Sequence, residues 1–200
     1  MTTVDVRVQC QCGRVRGVVH EVSPRTVNNS TCYCHDCRAF LHWLERDDLL
    51  DQYGGSDLVQ VARSRLAISE GAEQLRCMRL SDKGMYRWYT ACCRMPVGNT
   101  VKPVPFVGVA RSFLSIPREE SEVRFGKVLY AQPAAAVGGR PPGVKMEVSR
   151  LLHAMRLLGA WLIGRRGHPT PFFDRDNRPT VSPQVLTATE RQTLREHARA

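Results

Sequence analysis

Val4, Val6 and Val8 alternate with polar residues, the period-two pattern of a strand with one face in a core. After Gly13, the run Val15-Arg-Gly-Val-Val19 predicts a second strand paired with the first, with Cys10 and Cys12 in the turn between them. Further strands are expected over 58–68, 75–80, 85–90 and 104–113. Between the second and third of these, Ser81-Asp-Lys-Gly84 has the Asp and Gly of a hairpin turn. A short helix is expected to begin near Cys37 and to carry Phe40, Leu41 and Leu44 at helical spacing. Many short strands separated by turn signals predict a mainly β core.

From 131 to 143 the composition shifts to Ala, Gly and Pro, which reads as a linker or an irregular loop. Beyond it, Val148, Leu151, Leu152, Met155, Leu158 and Leu162 recur at helical intervals and predict one amphipathic helix, its apolar stripe docked on a core. Arg165 and Arg166 suit the C-terminal end of that helix, with Gly167 and Pro169 as its stop. Thr187 and Glu190 are spaced as a capping box for a last helix from about Ala188. The expected division is therefore a β domain over 1–130, a connecting segment over 131–143 and a basic helical extension over 144–200.

The chain has 200 residues, 42% hydrophobic and 24% charged, enough to bury a core without covalent staples. No apolar run approaches the roughly 20 residues of a spanning helix, so no membrane partner is expected. The first residues lack the basic flank and apolar block of a secretory signal, which makes a cytoplasmic location and reduced thiols the expectation. The net charge is +10 and unevenly spread: residues 1–136 hold 18 basic and 14 acidic side chains, residues 137–200 hold 11 and 5. The basic residues of the tail are scattered, without interleaved aromatics, and this pattern speaks against nucleic acid.

Cysteine changes the picture most. Seven of the eight fall in three groups: Cys10 and Cys12; Cys32, Cys34 and Cys37; and the adjacent pair Cys92 and Cys93. Thiolates at such spacings in a reduced chain point to a metal, with zinc as the first expectation and two ions the expected count. One C-x-C pair offers two ligands, so Cys10 and Cys12 need partners from elsewhere, and the 92–93 pair is the natural supplier. Cys32, Cys34 and Cys37 offer three ligands, the arrangement that leaves a position for a substrate or water. The competing readings are buried unliganded thiols and disulfides. Cys77 stands alone in a predicted strand and reads as a core residue; His35 reads as turned away from the cysteines beside it.

These motifs, Cys10-Gln-Cys12-Gly13-Arg-Val-Arg-Gly17, Cys32-Tyr-Cys34-His-Asp-Cys37-Arg38 and Arg87-Trp-Tyr-Thr-Ala-Cys-Cys-Arg-Met-Pro96, together resemble the glutathione-dependent formaldehyde-activating enzyme family, which also includes centromere protein V. The resemblance covers roughly residues 4–115. It implies a β-tent fold of small antiparallel sheets, a structural zinc on the first pair and a later cysteine pair, and a second zinc on Cys32, Cys34 and Cys37. At that second zinc the family binds the thiol of glutathione and forms or cleaves a carbon–sulfur bond with formaldehyde, so these three cysteines are the expected catalytic residues.

The third motif departs from the family's C-x-x-C-G: Thr90 takes the place of the first cysteine, Arg94 that of the glycine, and Cys92 is an extra thiol. Either Cys92 and Cys93 both close the first site, which requires a sharp backbone bend between them, or one of them turns to the second. Two functions follow. One is a zinc-dependent carbon–sulfur lyase-like protein that adds a small thiol such as glutathione to a small carbonyl compound, with Arg38 or Arg94 as candidate clamps for substrate carboxylates. The other is a non-catalytic module with two structural metals and a basic tail for an acidic partner or nucleic acid.

Overall fold

The computed structural model describes residues 2–145, 147–164 and 167–198. In chain order the strands are β1 (Val4–Gln9), β2 (Arg16–Val22), β3 (Asn28–Cys32), β4 (Ser56–Ala62), β5 (Leu66–Glu70), β6 (Leu75–Arg79), β7 (Tyr86–Thr90), β8 (Pro96–Thr100), β9 (Phe106–Ala110), β10 (Leu129–Ala131) and β11 (Gln184–Val185). The α-helices are α1 (His35–Trp43), α2 (Ser121–Phe125), α3 (Val148–Ile163) and α4 (Ala188–His197). The molecule is mainly β with helices towards its C-terminal end, as expected.

Two sheets share one core. β1, β2 and β5 form a three-stranded antiparallel sheet, and the remaining eight strands form a second in the order β10-β3-β4-β9-β8-β7-β6-β11. Its central pairs are antiparallel, while the short edge strands β10 and β11 run parallel to β3 and β6. Val6, Val8 and Val19 of the small sheet meet Val59, Val61, Trp88, Val97 and Val107 of the large one. Gly17 allows β2 to lie close on β5: a Cβ there would stand 2.1 Å from the carbonyl oxygen of Ala67.

The strand expected over 58–68 is in fact two. A single 3-10 turn at Arg63–Arg65 breaks it, leaving β4 in the large sheet and β5 in the small one. The Arg63 amide donates to the Pro105 carbonyl at 2.9 Å, which anchors the corner. β3, which no hydrophobic pattern announces, is a polar strand in the interior. Its side chains find partners there: Asn28 Nδ2 donates to Gln60 Oε1 at 2.9 Å, Asn29 Nδ2 to the Gly126 carbonyl at 2.9 Å, and Thr31 Oγ1 to Asp57 Oδ1 at 2.6 Å. These bonds offset the cost of burying the polar groups, although Asn28 Oδ1 itself has no hydrogen-bond partner.

α1 packs Ala39, Phe40, Leu41 and Leu44 against Met78, Leu80 and the C-terminal residues Leu186 and Ala198. α4 begins with the capping box expected from Thr187 and Glu190, each side chain meeting the other's backbone amide. The 131–143 segment lies along the body: the Val137 amide donates to the Tyr53 carbonyl at 2.9 Å. α3 overturns one expectation. It docks through Leu157 and Trp161 against Ala62 and Phe106, while Val148, Leu151, Leu152, Met155 and Leu162, expected in the core, stand exposed. The docking residues lie on the opposite side of the helix, where His153 also meets the Val27 carbonyl at 3.0 Å. Arg165 and Arg166 lie outside the described residues.

Candidate metal centres

The connection from β1 to β2 is a tight turn. The Gly13 amide donates to the Cys10 carbonyl at 2.9 Å and the Cys10 amide to the Val15 carbonyl at 3.0 Å. Gly13 takes φ +76°, a left-handed conformation that suits glycine and lets the chain turn back directly after Cys12. A second turn follows β7: the Arg94 amide donates to the Thr90 carbonyl and the Thr90 amide to the Met95 carbonyl, each at 2.9 Å. Arg94 is left-handed, with φ 53°. This turn supplies the bend that lets adjacent cysteines face one point.

The two turns meet. Cys10, Cys12, Cys92 and Cys93 place their sulfurs within 4.8 Å of one another. Cys10 Sγ lies 3.5 Å from that of Cys12 and 3.8 Å from that of Cys92, and Cys92 Sγ lies 3.9 Å from that of Cys93. Four thiolates at about 2.3 Å from a zinc ion stand about 3.8 Å apart along the edges of their tetrahedron, so the set fits such an ion. The sulfurs are far too distant for disulfides, and all eight cysteines are free. Burial pushes the Cys10 thiol up and the Cys92 thiol up to about 12. For Cys93 burial works in the same direction but loses to hydrogen bonds from Thr90, Cys12 and Cys10, which bring it down to about 6. Four sulfurs this close cannot all be anionic unless a cation sits among them.

The second group is local. β3 ends at Cys32, Cys34 is the N-cap of α1, and Cys37 lies in the first turn of that helix; the three sulfurs lie within 4.8 Å of one another. The Cys37 amide donates to Cys34 Sγ at 3.4 Å, and the helix N-terminus favours negative charge on these sulfurs. Cys37 is only 3% exposed, yet its thiol is held well below the ordinary value by hydrogen bonds from Cys32 and Cys34 and by the positive charge of Arg87, against the effect of burial. Its two neighbours' sulfurs push Cys32 in the opposite direction. Three thiolates fit a zinc ion with a fourth position left over.

Around this group the surface opens. A cavity of about 300 Å³ is walled in part by Cys37, Phe40, Asp57, Leu58, Asn99 and Leu114. A second, more open depression is lined by Cys34, His35, Asp36, Met85, Gln132 and Arg195. The first group lines neither. Cys77 joins neither group; it is buried in β6 opposite Trp88, and burial pushes its thiol up to about 12. His35 likewise stands outside both sets of sulfurs.

The two arginines that could have served as substrate clamps, Arg38 and Arg94, are structural ties. Arg38 is buried and donates to the carbonyls of Tyr33, Ala135 and Ala198 at 3.2, 2.6 and 2.7 Å. Arg94 donates to the carbonyls of Leu44 and Trp43 at the C-terminal end of α1 and lies over the Trp43 ring. The cation that does face the second group is Arg87 of β7, 1% exposed. Its Nη1 lies 4.0 Å from Cys37 Sγ and 3.5 Å from Asn99 Oδ1, and its Nε has no hydrogen-bond partner. Among the described residues no carboxylate pairs with it, so the sulfurs are its nearest source of negative charge. The sequence holds a single hint of this, a basic residue inside the aromatic strand Tyr86-Arg-Trp-Tyr89.

The chain belongs to the family of unknown function DUF6151, whose model matches residues 1–181. A solved structure similar to it is the crystal structure of a Rhodobacter sphaeroides protein, at 19% identity and a TM-score of 0.45, covering 62% of this chain and 99% of that one. Among curated proteins none matches the chain in sequence.

Proposed function

We propose that this protein holds two zinc ions, one on Cys10, Cys12, Cys92 and Cys93 as a fold-closing centre and one on Cys32, Cys34 and Cys37 as the reacting centre of a carbon–sulfur lyase-like activity on a small thiol such as glutathione. The observation that carries the reading is the inequality of the two groups: four cysteines that line neither opening in one, and in the other a three-sulfur group whose Cys37 borders the 300 Å³ cavity and whose Cys34 borders the second depression. A cavity of that size is at the lower end for small organic ligands. Zinc on three thiolates supplies a Lewis acid that lowers the pKa of a thiol taking the fourth position. The chain's own part is to hold the three sulfurs at the start of α1, to offset their negative charge with Arg87, and to enclose the substrate between Phe40 and Leu114, away from water. In the reaction class the sequence resemblance implies, the thiolate sulfur adds to the carbonyl carbon, the carbonyl electron pair moves to oxygen, and that oxygen takes a proton.

Elemental analysis of protein purified under reducing conditions is expected to give about two zinc ions per chain. Titration calorimetry with glutathione is expected to give heat and a rise in Tm with the zinc-loaded protein and neither with Cys34→Ser. Two zinc ions with no response to glutathione would favour the other reading, a module with two structural metals, which draws support from the burial of Cys37. A cytoplasmic location accords with eight free thiols; among the described residues no helix is long and apolar enough to cross a membrane.

A further inference from the structure

α3 is turned inside out for a surface helix. Six of the nine large hydrophobic side chains exposed among the described residues lie on it: Val148, Leu151, Leu152, Met155, Leu162 and Ile163. At 100° per residue these six and Gly159 occupy a sector of about 120° that holds no polar side chain. The polar side chains lie outside that sector: His153 meets the Val27 carbonyl, and the exposed Arg156, at the sector's edge, donates to the Arg25 carbonyl at 3.3 Å. Ile163 is 88% exposed, Val148 66% and Met155 60%, and the six side chains together present on the order of 600 Å² of apolar surface, the upper end of what a monomer shows.

We propose that this face is the interface of a symmetric dimer of the same chain, the two copies of α3 lying antiparallel. A two-fold axis at Met155 puts Val148 opposite Leu162, and Leu151 and Leu152 opposite Gly159 and Leu158, so the stripe is complementary to itself, as an isologous contact requires. Gly159 sits mid-stripe with nothing within 4 Å of where its Cβ would stand, which allows close approach of the two backbones. Antiparallel helices also set each N-terminal end against the partner's C-terminal end, a favourable arrangement of their dipoles. A stable dimer buries about 800 Å² on each partner, and the stripe with its rim approaches that. An anionic lipid surface fits less well: a helix lying on lipid needs several cations flanking its apolar face, and the described residues of α3 beside the stripe supply one, Arg156, already tied to the Arg25 carbonyl.

Analytical ultracentrifugation of the full zinc-loaded chain over about 1–100 μM tests this. The wild type is expected to sediment at twice the 22.5 kDa chain mass. Met155→Glu, which sets two carboxylates across the axis, is expected to weaken the dimer at least about tenfold with an unchanged circular dichroism spectrum, because Met155 is exposed in the single chain. Ile163→Glu at the edge of the stripe is expected to weaken it less. A wild type monomeric at the highest concentration overturns the proposal, and so does a dimer that Met155→Glu leaves intact. Cosedimentation of a monomeric chain with phosphatidylserine–phosphatidylcholine vesicles, lost in Met155→Glu, assigns the face to a membrane and overturns it too.

Discussion

The first sulfur group takes its members from two turns 82 residues apart, Cys10 after β1 and Cys92 after β7, which lie in different sheets. The second takes all of its members from six consecutive residues at one strand-to-helix junction. An ion in the first closes a long loop and ties the small sheet to the large one, so its binding free energy becomes folding free energy. An ion in the second closes almost nothing that the chain has not already closed. With an ion in each, the same ligand chemistry would serve cohesion in one place and leave coordination free in the other. Sequence distance between ligands, more than their number, would separate the two roles.

The sharpest way to break this contrast is Cys10→Ser. Loss of the cross-link is expected to cost on the order of 5 kcal/mol, much of the stability of a domain this size, and to appear as insoluble protein or a collapsed Tm. Cys34→Ser is expected to lower zinc content from two ions to one while the chain still melts cooperatively; equal collapse of both variants would erase the distinction. Arg87→Leu is expected to weaken metal at the second group about 10–100-fold and leave the first unchanged, read by competition with a chromogenic chelator. The smallest effect is in acid. Protons compete with metal for every thiolate, so the ion on three sulfurs is expected to leave at the higher pH as a zinc-loaded sample is acidified, with a separate melting transition marking release of the other.

How much of this was legible beforehand varied with the physics of each part. The hairpin around Cys10 and Cys12 and the helix after Cys37 could be read from valine alternation and from leucine and phenylalanine spacing, because one face of each is apolar. β3 could not, because Asn28-Asn-Ser-Thr31 is buried through hydrogen bonds and not through hydrophobicity. The break at Arg63 was hidden inside a run that reads as one strand, since only the Pro105 contact and the change of sheet reveal a corner there. The edge strands β10 and β11 are two or three residues long and are defined by distant partners. In α3 the period was right and the side was wrong: periodicity places apolar residues on one face but says nothing of what that face meets. Of the two motif arginines proposed for the site, neither faces it. Arg87, also in a quoted motif, does, because a single sequence cannot tell a buried guanidinium from a solvated one.

Arg38 has a consequence for how the molecule would report on its own chemistry. It directly follows Cys37, and its guanidinium joins the carbonyls of Ala135 and Ala198, segments remote in sequence from each other. The neighbouring Asp36 carboxylate meets Arg195 of α4 at 2.6 Å. The first turn of α1 is therefore a knot joining the sulfur junction to the carboxyl-terminal end of the chain. Metal binding at Cys34 and Cys37 is expected in turn to change protease sensitivity near residue 190, which limited proteolysis with and without chelator would read.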